Sequence, residues 1–149
     1  MNEISRRDEV SLSGAALRGA PWKAAAVGGG VAAAAGFGVS LLTEGGDPVW
    51  ALGLGISLFA LIAAIGAVSK PEVGDRVTRQ ARLWSLQHPW RFSLLPAAIV
   101  AVLDYPVQLV LDGDGVFGSA WDAAWHGALV YLISAVLTLT MQGRARSSR

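Results

Sequence analysis

The sequence at residues 49–68 reads VWALGLGISLFALIAAIGAV, twenty residues without a charged side chain. At ~1.5 Å of rise per residue, a helix of this length spans about 30 Å, the thickness of the hydrocarbon core of a bilayer. Three further runs of 19 or 20 residues, at 24–42, 92–111 and 123–141, share this character. The four runs together contain one acid (Asp104), one histidine (His126) and no Lys or Arg. The sequence therefore predicts an all-α polytopic membrane protein with four transmembrane helices arranged as two hairpins.

The rest of the 149-residue chain is a tail at 1–23, a linker at 69–91, a tail at 142–149 and two short connections. Only 15% of the residues are charged, whereas soluble domains carry about a quarter. We therefore expect a single membrane domain. Ser5 and Asp8 have the spacing of a capping box, which indicates a helix start in the first tail. The absence of Cys excludes disulfides, thiolate metal ligands and a Cys nucleophile.

The charged residues are divided between the two ends of the predicted helices. All twelve Lys and Arg lie in the segments 1–23, 69–91 and 142–149, while the connections at 43–48 and 112–122 carry only acids. The positive-inside rule then predicts that both termini and the linker are cytoplasmic. The abundance of Ala, Gly, Val and Arg suggests a GC-rich bacterial genome, so we expect a multi-pass protein of the bacterial cytoplasmic membrane.

The linker has the pattern of a short amphipathic helix on the inner leaflet. Its apolar residues recur at spacings of four, four and three: Val73, Val77, Ala81 and Trp84. Arg79 and Arg82 fall on the opposite face. A candidate surface for anionic lipids or for a cytoplasmic partner is thus formed by Arg76, Arg79, Arg82 and Trp84, and lipid contact is the simpler interpretation.

Small residues four positions apart mark the first two helices. The pairs are Gly28/Ala32, Gly29/Ala33, Gly36/Ser40 and Gly53/Ser57. Such spacing lets two helices approach closely. It fits self-association or contact within a larger membrane complex, and it also fits packing between helices one and two of the same chain. The short connection between those helices favours the second interpretation.

Asp104 is the one acid within the four predicted membrane-spanning runs. An aspartate inside the bilayer needs a partner, a proton or water, because inserting its side chain costs about 2.5–3.5 kcal/mol. Pro106 predicts a helix kink beside it. Gln108 lies one turn away on the same face. On helix four, His126 has the depth of Gln108, and Asp122 lies one turn before it, whereas Asp104 is level with Val130.

We therefore predict a candidate polar cluster that opens outward, composed of Asp104, Gln108, His126 and Asp122. Three interpretations are open. The cluster forms a hydrogen bond that fixes how the helices pack, it contacts a polar partner helix, or it handles a proton or cation.

No motif for catalysis, a cofactor or a metal ion is found. The run Asp112-Gly113-Asp114-Gly115 resembles the opening of a calcium loop, but Val116 and Ala123 stand where such a loop has ligands. P-loop, dinucleotide, zinc-protease and haem-ligand patterns are missing. The basic residues are explained by topology, so nucleic-acid binding is not expected.

We expect a non-catalytic accessory, assembly or regulatory subunit that contacts the lipid bilayer. The alternative is a small transporter or homo-oligomeric pore lined by Asp104, Pro106, Gln108 and His126. A lipid-metabolising enzyme is the third possibility, and its site would lie at the cytoplasmic edge. The residues there are Asp75, Arg82, His88 and Arg91.

Overall fold

A computed structural model describes residues 6–43, 46–69, 74–113 and 115–147, and all regular structure in these ranges is helical. The helices are α1 (Arg6–Leu17), α2 (Trp22–Thr43), α3 (Pro48–Val68), α4 (Arg76–Gln87), α5 (Pro89–Leu111) and α6 (Gly115–Ser147). By length and composition α2, α3, α5 and α6 are able to cross a membrane. The prediction of an all-α chain is thus confirmed over the described residues, and each of the four apolar runs lies in a helix long and apolar enough to cross a membrane.

The first three long helices begin within three residues of the predicted positions, but α6 does not. It begins at Gly115, eight residues before the predicted start at 123, so the predicted connection at 112–122 is wrong. Residues 115–122 contain no proline and one acid, Asp122. Asp122 is the eighth residue of α6, beyond its first turn, and a single acid at that position is compatible with a continuous helix.

The turn into α3 is set by Asp47. One oxygen of its carboxylate accepts hydrogen bonds from the amides of Val49 (2.9 Å) and Trp50 (3.1 Å). Pro48 stands at the first helical position, where no amide donor is needed. The amide of Asp47 in turn donates to the Ser40 hydroxyl at 2.9 Å. This local network caps α3 and ties it to the end of α2.

Helix α3 is the central helix. It contacts α2 on one side and α5 and α6 on the other, while α5 packs along α6. Among the six helices, α2 contacts α3 alone. The α2–α3 contact is close because a Cβ added at Gly29 would lie 2.7 Å from the carbonyl oxygen of Gly55. The Gly29/Ala33 and Gly36/Ser40 pairs therefore serve packing within the chain, since Gly29, Gly36 and Ser40 are buried on α2.

Helices α1 and α4 form a cap at the end of the bundle that carries the basic residues, called here the basic end. The two helices pack against each other. Ala16 and Leu17 of α1 join Ala67 and Val68 of α3 in one apolar cluster. The segment predicted as a tail is therefore folded onto the membrane helices, although Ser5 itself lies outside the described residues.

The linker contains a helix, as predicted, but its buried face differs from the predicted one. Arg82 and Trp84 are buried, so their assignment to an exposed surface is wrong; Arg76 and Arg79 are exposed. The guanidinium of Arg82 donates to the carbonyl of Gly19 at 3.1 Å. The packing of α1 against α4 covers this face, which the sequence pattern of α4 alone does not show.

Candidate intramembrane polar site

Asp104 lies on α5 with none of its side chain exposed. Helix α5 is continuous from Pro89 to Leu111 and runs through Pro96 and Pro106. Proline removes one backbone hydrogen bond at each of these positions. The kink predicted at Pro106 stays a prediction, while the carboxylate itself is placed inside the bundle rather than on the lipid face.

The carboxylate is held by two side chains. Nδ1 of His126 on α6 lies 2.6 Å from Oδ2 of Asp104, and the Gln108 amide donates to the same oxygen at 3.3 Å. Gln108 is buried as well, whereas the His126 side chain is 30% exposed. Three of the four predicted cluster residues are thus in direct contact. Asp122 is half-buried, and it forms no side-chain hydrogen bond to any residue of the described ranges.

The contact between Asp104 and His126 differs from the depth estimate, which set Asp104 level with Val130. That estimate paired residues from the predicted ends of the two helices. Because α6 begins at Gly115, counting from the observed helix ends sets Asp104 level with Asp122, and His126 lies one helical turn beyond that level. The early start of α6 therefore shifts the register from Val130 toward His126, and the orientation of the two side chains completes the contact.

Gly53 of α3 lies against this pair, and the sequence reasoning assigned it to helix packing only. A Cβ at this position would be 3.4 Å from Oδ1 of Asp104 and 3.4 Å from Cε1 of His126. The glycine lets α3 approach the polar pair closely. The sequence pattern held no signal for this contact, because residues 69–88, which include α4, separate α3 from α5 in the chain.

One oxygen of the carboxylate has no partner. Oδ1 of Asp104 is buried and accepts no hydrogen bond within the described part of the chain. Burying an acceptor in this way costs free energy unless water or a ligand donates to it. The site therefore retains an unused hydrogen-bonding position deep in the bundle.

Apolar packing closes the site toward the basic end. The cluster next to it contains Ala60, Leu61, Val100 and Val130, all buried. Val100 and Val130 lie one helical turn beyond Asp104 and His126 on the same two helices. The side chains of Ser93, Ser134 and Thr138 deeper in the bundle donate to carbonyl groups of their own helices. This packing therefore borders the polar site on the side of the basic end.

A cavity of about 350 Å³ lies between α3 and α6 beside His126, and it extends from Trp50 past Ser57 toward the basic end as far as Leu61 and Ile133. Its walls are mostly leucine, valine and isoleucine, with Trp50 among the lining residues. Besides the indole of Trp50, the polar side chains in the lining are those of His126 and Ser57. The cavity therefore connects the exposed edge of the histidine to a mainly apolar space.

The residues considered for an enzyme site at the basic end have structural contacts. Asp75 accepts from the amide of Thr78 at 2.7 Å and caps α4. Hydrogen bonds from the Thr78 side chain and backbone, aided by the charge of Arg18, hold the pKa of Asp75 below its usual value of 3.8. The ring of His88 stacks on Trp84 with centroids 5.0 Å apart.

Metal ligands are not gathered anywhere in the described ranges: no group of three or more His, Asp or Glu is close enough to hold an ion. Asp114, part of the run that resembles a calcium loop, lies outside those ranges.

Comparison with known proteins found no matching family model, no matching curated protein and no matching solved structure. The class of the protein therefore follows from its own features. It is a small helical protein with four helices able to span a membrane and a buried Asp–His pair between two of them.

Proposed function

We propose that this chain is a non-catalytic accessory, assembly or regulatory subunit of the bacterial cytoplasmic membrane. Its orientation follows from the charge distribution, because all twelve basic residues belong to the termini and the linker. Both termini and the cap of α1 and α4 are then cytoplasmic. The short connections after α2 and α5 face the outside.

The observation that carries the proposal is an uncovered small-residue face on α2. It consists of Gly30, Ala34 and Gly38, which are spaced by four residues and are all exposed. A Cβ at either glycine would meet no atom within 4 Å. Helices associate in lipid through close packing rather than through a hydrophobic driving force, so such a face favours contact with another membrane helix. The partner we propose is a helix of a larger membrane complex.

The polar site argues against the passage of ions through a single chain. Asp104 is bonded to two side chains of its own chain, and Val100 and Val130 close the bundle beyond it. An ion that crossed the chain would have to pass this apolar packing without ligands, at a high cost in free energy.

A small transporter or homo-oligomeric pore is the second candidate. It is favoured by the unpartnered oxygen of Asp104 and by the partial exposure of His126. In this alternative the polar site takes up a proton or cation, and several copies assemble the path.

The experiment that separates the two is mild affinity purification from native membranes, with mass spectrometry and native mass of the product. The wild-type chain is compared with the double variant Gly30→Leu/Gly38→Leu. Ala98→Leu on α5 is the matched control, because Ala98 is also exposed but lies on another helix. We expect a stoichiometric foreign protein with the wild-type chain and with Ala98→Leu, and its loss with the double variant.

A homo-oligomer without a foreign partner would contradict the accessory role. Proton and cation flux into liposomes would then be measured for the wild-type chain and for Asp104→Asn. Flux that depends on the carboxylate would establish the pore or transporter.

A further inference from the structure

The cavity between α3 and α6 contains two unused hydrogen-bonding groups, one on each helix. Nδ1 of His126 is committed to Asp104, while Nε2 forms no hydrogen bond to a described residue and is not fully buried. His126 lines the cavity, and Nε2 is its ring nitrogen without a partner among the described residues.

Ser57 is the second group. Every other serine and threonine of the four long helices whose side chain the structure describes donates its hydroxyl to a carbonyl of its own helix: Ser40, Thr43, Ser93, Ser119, Ser134, Thr138 and Thr140. Ser57 forms no such bond within the described ranges, and it lines the cavity. A hydroxyl that bonds back to its helix satisfies itself in an apolar medium. The hydroxyl of Ser57 remains available to a ligand.

Nε2 of His126 is the ring nitrogen that a ligand can bind. One proton lies between Nδ1 and Oδ2 whichever atom carries it. In the form of the ring in which Nε2 also carries a proton, His126 donates to a ligand, and the ligand atom that bonds to it is an acceptor.

The two groups lie at different depths. Gly53 touches the His126 ring, and Ser57 follows Gly53 by four residues on α3. The hydroxyl is therefore displaced from the ring by about one helical turn, ~5.4 Å along the axis. The remaining walls are apolar side chains such as Leu54, Leu58 and Ile133, with the indole of Trp50 also in the lining.

We propose that this cavity binds the ring of a membrane-soluble 1,4-quinone. The two oxygens of such a ring are separated by about one helical turn and are both acceptors, so one accepts from Nε2 of His126 and the other from the Ser57 hydroxyl. The apolar ring and its substituents fill a cavity of about 350 Å³, which lies within the range of small-molecule sites. Asp104 is a positioning residue, since it orients the histidine without reaching the ring. The proposal concerns binding alone and does not depend on the accessory role.

The test uses the whole chain in nanodiscs of ether-linked phosphatidylcholine, which has no ester carbonyl. The probe is a 1,4-benzoquinone with a decyl side chain, and decylbenzene is the matched probe without oxygens. The readout is the NMR signal of the ¹⁵N-labelled histidine rings. The chain has two histidines, so His88 at the basic end serves as an internal control.

We expect a saturable shift of the His126 ring nitrogens with the quinone, no shift at His88 and none with decylbenzene. Ser57→Ala should weaken binding about fivefold, the loss expected for one neutral hydrogen bond. Ser134→Ala, which removes a hydroxyl bonded to its own helix, should leave the affinity unchanged. Ser57→Phe fills the cavity while leaving the Asp104–His126 hydrogen bond in place, and it should abolish the shift.

Three results would overturn the proposal. One is an equal shift with decylbenzene, which would mean that only apolar contact is recognised. Another is the absence of a saturable shift in a sample whose Asp104–His126 hydrogen bond is seen in the ring signals. The third is an unchanged affinity in Ser57→Ala. A shift of the His126 signals on replacing ether-linked by ester-linked lipid, without probe, would assign the cavity to a lipid carbonyl instead and would also refute the quinone.

Discussion

Gly29 and Gly30 are adjacent on α2 and have opposite surroundings, so the same substitution at each tests the packing of α2 on α3. A Cβ at Gly29 would lie 2.7 Å from the carbonyl oxygen of Gly55 and 2.9 Å from Cβ of Phe59. A Cβ at Gly30 would meet nothing within 4 Å. We expect Gly29→Ala to destabilise the protein and Gly30→Ala to be neutral or stabilising.

The magnitude follows from the geometry. Both variants gain the same helix-propensity benefit of about 0.5–1 kcal/mol, which cancels in their difference. At position 29 the obstacle is partly backbone, so the two helices have to separate. A gap of roughly 0.5–1 Å forfeits a quarter to a half of each dispersion contact along the interface. Overpacking of this kind typically costs about 1–3 kcal/mol, so we expect the two variants to differ by ~2 kcal/mol.

The assay is reversible unfolding in mixed micelles, with SDS as the denaturant and helical content measured by circular dichroism. Gly29→Ala should unfold at a lower SDS fraction than the wild-type chain, and Gly30→Ala at the same or a higher one. A difference below ~0.5 kcal/mol between the two variants would refute the close approach of the two helices, because surface substitutions alone differ by that much.

Three further predictions address the polar site and the cap. His126→Ala leaves the buried carboxylate of Asp104 with the Gln108 amide alone and should lower the free energy of unfolding by about 3–5 kcal/mol. The double variant Asp104→Leu/His126→Leu should unfold much closer to the wild-type chain in the same SDS titration. A double variant as unstable as the single one would contradict the pairing. Arg82→Ala removes the hydrogen bond to the turn between α1 and α2, and it should lower the stability of the cap by about 1.5–3 kcal/mol. Hydrogen exchange should then be faster throughout α1 but not in α5. Unchanged exchange in α1 would show that the guanidinium does not hold the cap. Asp75 has a lowered pKa, so its contribution to stability is complete above pH 3.8 and is lost as the pH falls through the lowered pKa. The amide of Thr78 should therefore exchange faster relative to amides in α5 at such pH values, and the variant Asp75→Asn should not show this acid-dependent step.

The membrane-spanning segments were predictable because they depend on composition alone. A run of about twenty apolar residues is stable as a helix across lipid whatever its neighbours are, since the helix satisfies its own backbone hydrogen bonds. The same reasoning did not find the start of α6. The helix continues through Asp122 because no proline interrupts residues 115–122, whereas an apolar run in a hydropathy pattern ends at the first charged residue.

The candidate site was predictable only as a list of polar residues at similar depth. Asp104, Gln108 and His126 were identified because a polar group in a bilayer needs a partner. Asp122 fulfilled the same spacing rule, but it forms no hydrogen bond to the other cluster residues. Spacing along one helix permits a contact, whereas the rotation of each helix about its axis decides whether it forms.

By itself the sequence determined the helical class, the number of apolar spans and the division of charge between the two ends. These properties are sums over local residues. Tertiary structure alone decided that α1 covers α4 and buries Arg82, and that His126 meets Asp104 beside Gly53. It alone decided that Ser57 faces a cavity rather than a carbonyl of its own helix. Each of these contacts joins residues far apart in the chain, so it depends on the register and rotation of packed helices, which residue composition does not specify.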